Sequence, residues 1–392
     1  MADVYTEAVE LHRKYQGKLG VSPLVSVMDR ADLSLVYTPG VAQVSREIAQ
    51  NSDLSYELTM RGRTVAVVSD GSAVLGLGNV GPLAAMPVME GKALIFKQFG
   101  GVDAVPLCVG LHTADELVHF VQAIAPSFGG INLEDIASPL CIEVEDRLQS
   151  IGIPVMHDDQ HGTAMVVAAA IQNAAKVVGK KYEDLRVVIS GAGSAGLAIA
   201  QLLLSLEREN GTLILVPGSR VGDVILVDSK GIVGTTSEGW KGQFARVTNT
   251  THRVGGLIEA IAGADVFIGV SRGGIVTAEM VSTMAKNPIV LAMANPDPEI
   301  LPDAAKRGGA FIVGTGRSDY PNQVNNSLIF PGFFRGLLRT RAPRVTHAMK
   351  VAASTALANF ADPTAEKILP SMFDEGLSEA IATAVEAVFE SV

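Results

Sequence analysis

Cysteine, basic charge and long apolar runs are all scarce in this sequence, and each shortage removes a class of function. Only Cys108 and Cys141 occur, without the paired spacing of a zinc site, so two buried thiols in a reducing compartment, the cytoplasm, are the default expectation. The formal net charge is −10. No basic face offsets it, which argues against a nucleic-acid partner while leaving a small anionic substrate open. No run of about 18 uncharged apolar residues appears, so no membrane span is expected. The longest apolar stretch, 163–175, reads as a buried helix. Residues 1–20 carry charges throughout and lack the apolar core of a secretory signal.

What is present describes a globular α/β protein. The 392 residues are 48% hydrophobic and 18% charged, with 40 glycines. That length allows two or three domains, and the glycines suit many tight strand-to-helix turns. Residues 1 to about 60 read as short helices, one of them 41–50. Then strand-like runs (64–69, 93–96, 104–109, 131–133, 153–156) alternate with helical spacing at 115–124 and a helix ending at 147–149, the pattern of a parallel sheet. A long apolar helix follows at 163–179, with Thr163 as N-cap and Gly179 as stop.

From residue 185 the alternation restarts, with strands at 186–190, 223–228, 265–270, 288–293 and 310–314. Helices fall at 197–207, 255–262 and 277–285. This is a doubly wound, Rossmann-type dinucleotide domain. The segment 209–245 is the least defined. Helices return from 318, the last at 377–389. The expected division is a substrate- and metal-binding domain at 1–162, a dinucleotide domain at 163–317 and a helical segment at 318–392 that packs back near the active site.

Two stretches match G-x-G-x-x-G. In 76–81 (GLGNVG) no strand abuts the first glycine, and a substrate-site loop is the better reading. In 191–196 (GAGSAG) a strand runs directly into the first glycine and an apolar helix opens after the last. Only the second has the context in which backbone N–H groups at a helix start meet a pyrophosphate. Gly191, Gly193, Ser194, Ala195 and Gly196 are therefore the candidate cofactor residues. Asp228, at the end of the domain's second strand, is a candidate for the ribose hydroxyls. It lies 37 residues after Gly191, beyond the usual ~20, and an insertion around 207–221 would account for the excess. Lys230 and Arg220 nearby would instead meet a 2′-phosphate, so NAD and NADP both stay open.

Acidic pairs follow two of the apolar strands: Glu134-Asp135 and Asp158-Asp159. Adjacent side chains on a strand point to opposite faces, so Glu134 and Asp135 reach one ion only if the backbone bends there. Three carboxylates suit Mg²⁺ or Mn²⁺, with either Asp158 or Asp159 as the third. A solvated acidic loop is the ordinary reading of a single such pair. His157 and His161 raise a zinc site, but without the His-Glu-x-x-His form. Lys92 lies in an apolar setting, where a desolvated amine with a lowered pKa would serve as a base. Tyr37 is a candidate phenolic acid. Asn295, in 295–298 (NPDP), follows a strand end, and Asn325 and Asn326 sit in a polar loop suited to carboxylate recognition.

Taken together, 37–43 (YTPGVAQ), 69–92 (SDGSAVLGLGNVGPLAAMPVMEGK), 131–136 (INLEDI), 153–164 (IPVMHDDQHGTA), 191–196, 295–299 (NPDPE) and 316–332 (GRSDYPNQVNNSLIFPG) resemble the malic enzyme family in its compact bacterial form. The resemblance implies oxidative decarboxylation of L-malate to pyruvate and CO₂ with reduction of NAD⁺ or NADP⁺. It implies Lys92 as general base, Tyr37 as the acid that protonates enolpyruvate, and Glu134, Asp135 and Asp159 as metal ligands. Asp158 would support the site, and Asn295 with Asn325 or Asn326 would contact substrate. It also implies a homodimer in which Tyr37 can cross to the partner's site. Ser72-Ala73 stands where larger relatives carry a malate-binding arginine. A malolactic-type lyase that retains its NAD, and a plain 2-hydroxy-acid dehydrogenase, are the alternatives.

Overall fold

The computed structural model describes residues 3–74, 77–209 and 211–390. A four-stranded sheet forms the first half, from β1 (Thr64–Ser69), β2 (Asp103–Cys108), β3 (Gly130–Leu133) and β4 (Val155–His157), in the order β2-β1-β3-β4. All its pairings are parallel. Every residue of β1, β3 and β4 is buried, as expected for short β-branched runs covered on both faces.

The second half holds β5 (Arg186–Ser190), β6 (Leu206–Glu209), β7 (Thr212–Leu215), β8 (Asp223–Asp228), β9 (Gly231–Ile232), β10 (Val266–Gly269), β11 (Ile289–Ala292) and β12 (Ile312–Thr315). Six of these make a sheet ordered β12-β11-β10-β5-β8-β9, parallel except for β9. β5 sits between β10 and β8, so the strand order reverses beside the turn that follows β5, where open α/β sheets bind ligands. β6 and β7 form a separate antiparallel hairpin. This hairpin is the insertion that lengthens the interval to Asp228.

Two sequence expectations are corrected. Residues 93–96 are not a strand but part of the helix Gly81–Gly100. Ala85, Met89, Lys92, Ala93 and Phe96 are buried along it at three- and four-residue spacing, so a helical stripe had the look of a short apolar run. The long helix does not start at Thr163. It spans Asp158–Val178, with His157 at the N-cap. Gly162, which looks like a break, lies inside it because a Cβ there would run into the Asp158 carboxylate. It does stop at Gly179, whose φ is 69°. Of the first glycine-rich loop, Gly76 lies outside the described residues; Gly78 and Gly81 have φ of 77° and 76°.

The helix Asp158–Val178 joins the two halves. Most of its residues are buried, and one hydrophobic cluster runs through it from β1 to β5. A second cluster covers the other face of the larger sheet. The C-terminal helices pack back onto the first half. In Phe330–Thr340, a Cβ on Gly332 or Gly336 would lie 2.6 Å from the Ser378 oxygen or 2.8 Å from that of Ala382, so glycine permits the close crossing with helix Leu377–Glu390. Phe330 and Phe334 pack against Phe96, tilted and edge-on, with centroids 4.6 Å and 5.3 Å away. The helices Val4–Tyr15, Arg30–Val36, Val41–Gln50 and Ser55–Leu58 differ from all this: none buries a residue. No helix among the described residues is long and apolar enough to cross a membrane.

Candidate active site

Parallel register gathers the acids. Val68 pairs with Leu133, and Leu133 with His157, so the residues after these strands emerge side by side at one edge. Glu134 leaves β3 next to the point where Asp158 leaves β4. Asp135 has φ 53°, the backbone bend that lets both acidic side chains turn to one side. Its N–H donates to Asp159 Oδ2 at 2.8 Å. The loop after β1 is pinned to the same turn. Ser72 Oγ donates to Asp70 Oδ1 at 2.6 Å and accepts from Ala137 N at 2.8 Å. Ser72 thus shapes the loop rather than offering a carboxylate clamp.

Lys92 arrives on the buried stripe of helix Gly81–Gly100. Its Nζ donates to Glu134 Oε1 at 2.9 Å and contacts Asp158 Oδ2. It also stands 3.9 Å above the Phe330 ring. Glu134 Oε2 accepts from Asn132 Nδ2 at 2.8 Å. The expected lowering of the Lys92 pKa is corrected. Burial does pull it down, but Asp158, Glu134 and Asp159 outweigh burial and hold it above its ordinary value. Burial pushes the Glu134 and Asp158 carboxyls up, with Lys92 opposing.

Glu134, Asp135 and Asp159 line one cavity of about 420 Å³, together with Ser194 and Ala195 of the glycine loop and with Asn295, Asn325 and Asn326. Lys92 and Asp158 stand behind Glu134. The loop itself is forced: a Cβ on Gly196 would strike the Gly191 oxygen, and one on Gly191, at φ 112°, would strike the Val270 oxygen. Gly193 caps the helix Ser194–Leu203, so its first turn, with the N–H groups left free there, opens on the same cavity through Ser194 and Ala195.

Asp228 stands apart from the cavity, at the end of β8, bonded to Lys241 Nζ at 2.6 Å and Lys230 N at 2.8 Å. Tyr37 is not brought to the site within this chain; it is 68% exposed. The zinc expectation is not assembled either. His157 faces the acid cavity while His161 turns to a different cavity, because His157 is the N-cap and not yet helical, so four-residue spacing does not align the two rings.

The donor set fits a divalent cation by its chemistry, three carboxylates around one polar cavity. Both ring nitrogens of His157, which lines that cavity, and Asp158 Oδ1 behind Glu134 are buried without a hydrogen-bond partner, a polar demand that the side chains alone leave open. Among the described residues, no three acidic, histidine or cysteine groups are already drawn together as a finished ligand set. Glu134 is taken up by Lys92 and Asn132, and Asp159 by the Asp135 N–H.

Sequence reasoning missed several buried charges. Glu299 accepts from Ser271 N at 2.8 Å and Ala294 N at 3.1 Å, fixing the loops beside Asn295. Glu145 lies on the apolar stripe Cys141, Val144, Leu148 of helix Leu140–Leu148. A carboxylate in that position requires partners, a signal that names no partner. The partners are His157 N, Gln160, His161 and Arg208.

Two family models match the chain: the malic enzyme N-terminal domain over residues 16–116 and the malic enzyme NAD-binding domain over 160–389. A Bacillus subtilis protein named bifunctional malic/malolactic enzyme is 48% identical, over 97% of this chain and 91% of its own length. An NAD-dependent malic enzyme of Geobacillus stearothermophilus is also 48% identical, over 96% and 77%. Among solved structures, an NAD-dependent malic enzyme from Thermotoga maritima superposes with a TM-score of 0.92 at 45% identity, covering 98% of this chain and 99% of that one.

Proposed function

We propose how the residues of this chain, which belongs to the malic enzyme family, divide the work of that family's reaction, the oxidative decarboxylation of L-malate to pyruvate and CO₂ with reduction of NAD(P)⁺. The observation that carries the assignment is the shared cavity: three carboxylates and the first turn of the dinucleotide helix open onto one space, with a buried amine behind it.

Glu134, Asp135 and Asp159 would hold Mg²⁺ or Mn²⁺, which supplies a Lewis acid for the C2 oxygen and for the enolate charge. The residues 191–196 would seat the pyrophosphate of NAD(P), the hydride acceptor, and Asp228 its ribose. Asn295, Asn325 and Asn326 orient malate by its carboxylates. Lys92 Nζ takes the proton of the C2 hydroxyl as hydride leaves C2. A Glu134 committed to a cation no longer holds the Lys92 charge, which favours the neutral amine. Asp158, in contact with Nζ, receives the proton onward. After CO₂ departs, Tyr37 donates a proton to C3 of enolpyruvate.

Because Tyr37 is exposed in its own chain, it would act in a second copy. The four N-terminal helices support this, since Val4, Tyr5, Val9, Leu33, Leu35 and Val41 are left in solvent with no core of their own. Mixing Tyr37→Phe with Lys92→Ala subunits tests it. Activity returns in the hybrid if the tyrosine crosses, and stays absent if it acts within its own chain. The same reading assigns residues 1–162 to substrate and metal, 163–317 to the dinucleotide and 318–392 to the wall behind Lys92. Unpaired Cys108 and Cys141 support a cytoplasmic location.

The Bacillus relative's name favours one second reading, a malolactic outcome. Following malate turnover with Mn²⁺ and each nucleotide decides between them. Net NAD(P)H absorbance with pyruvate supports the oxidative reaction. Lactate without net reduced nucleotide supports the other.

A further inference from the structure

We propose that Glu145 is a positioning residue for Asp158 and Asp159, and that Arg208 of the β6–β7 hairpin holds Glu145 in place from the dinucleotide-binding half. This rests on the reading of Asp159 as a metal ligand. Glu145 Oε1 accepts from His157 N at 2.9 Å. Oε2 accepts from His161 Nε2 at 2.9 Å, Gln160 Nε2 at 3.3 Å and Arg208 Nη2 at 3.0 Å. Residues 157, 160 and 161 bracket 158 and 159, so one carboxylate grips both ends of the turn that carries the two acids.

The clamp is closed from two further directions. Lys350 Nζ donates to His161 Nδ1 at 3.3 Å, which leaves Nε2 to carry the hydrogen aimed at Glu145. Arg208 Nη1 lies 3.4 Å from Asp146 Oδ1, and its guanidinium is 5.5 Å from the Trp240 ring centroid. Arg208 is the third residue of β6, in the hairpin that interrupts the dinucleotide fold between β5 and β8. Among its described residues, that insertion contributes none to the lining of the 420 Å³ cavity. Its half-buried guanidinium reaches across to a carboxylate of the other half instead. Metal ligands depend on such outer partners for their orientation, and losing one typically weakens metal affinity by about 10- to 100-fold.

The test measures Mn²⁺ binding to the full-length protein, without malate, from the loss of the free-ion paramagnetic resonance signal. NADH binding is followed separately by fluorescence. Glu145→Gln places an amide N–H₂ against donors that need an acceptor. It is expected to weaken Mn²⁺ by about 10-fold and leave NADH affinity unchanged, a split that general loosening of the fold would not produce. Arg208→Met is expected to do the same, and Arg208→Lys to recover part of the loss. Wild-type Mn²⁺ affinity in both Glu145→Gln and Arg208→Met overturns the proposal; if Glu145→Gln does not fold, the Arg208 pair decides alone. Asp159→Asn is run alongside. If it leaves Mn²⁺ binding intact, Asp159 is not a ligand, and the positioning role fails with that reading. If it abolishes binding while the clamp variants bind normally, the positioning role alone fails.

Discussion

Two buried charge clusters flank the first turn of helix Asp158–Val178, and they are built on opposite terms. In the one around Glu145, both carboxylate oxygens are saturated with donors. His161 and Glu145, with burial and mutual attraction opposed, settle as a neutral ring and a carboxyl held far below its usual range. In the one around Lys92, Asp158 Oδ1 and the His157 ring have no hydrogen-bond partner, and three acids sit close enough to raise one another. A saturated cluster has nothing left to offer a ligand. An unsaturated one holds unmet polar demand at a cost in stability, which is the mark of a place where substrate and cation are expected. Both are buried; hydrogen-bond completeness separates architecture from chemistry.

The comparison can be broken by showing that the two clusters fail in the same way. Lys92→Ala should cut turnover by about 10²- to 10⁴-fold, with NADH affinity near wild type. Turnover at the wild-type level would move Lys92 to the architectural side. Glu145→Ala should do the reverse, lowering unfolding free energy by about 3–5 kcal/mol because buried donors lose their acceptor. Urea denaturation measures it, and an unchanged midpoint would deny the cluster its structural role.

Lys350 sharpens the contrast further. Burial pulls its pKa down to about 8, with Glu145 opposing. The unfolded chain binds that proton first, near about 10.4. Stability is therefore full above that value and declines as pH falls toward about 8, a deficit of about 3 kcal/mol at neutrality. Lys350→Met should raise the melting temperature and flatten its slope across that alkaline window; a lower melting temperature would contradict this. On the metal itself, Asp159→Asn should raise the Mn²⁺ concentration for half-maximal activity by more than the roughly 10-fold expected when an outer partner such as Glu145 is lost. An unchanged titration would move the third ligand to Asp158.

Much of the first cluster was readable from the sequence because its members sit at strand ends or in a glycine turn, where local pattern fixes position. The acids after β3 and β4 needed only parallel register to meet, and GAGSAG needed only the strand before it and the helix after it. The second cluster was not readable. Glu145 meets Arg208 across 63 residues and His161 meets Lys350 across 189, and no local period links them. The Lys92 pKa went the wrong way for a related reason. Its apolar neighbours in sequence were visible, but the acids that outweigh them came from distant segments. Tyr37 shows the limit of a single chain, since its motif was plain and yet it stands exposed, away from the acid cavity.

The central claim is that Glu134, Asp135 and Asp159 form one cation site in front of Lys92 and beside the glycine turn. Crystals grown with Mn²⁺ and malate and measured at the manganese edge test it directly. The account predicts one anomalous peak about 2.1 Å from carboxylate oxygens of all three residues, with Lys92 Nζ next to the malate C2 oxygen. A peak between His157 and His161, or none within reach of Asp159, would contradict it.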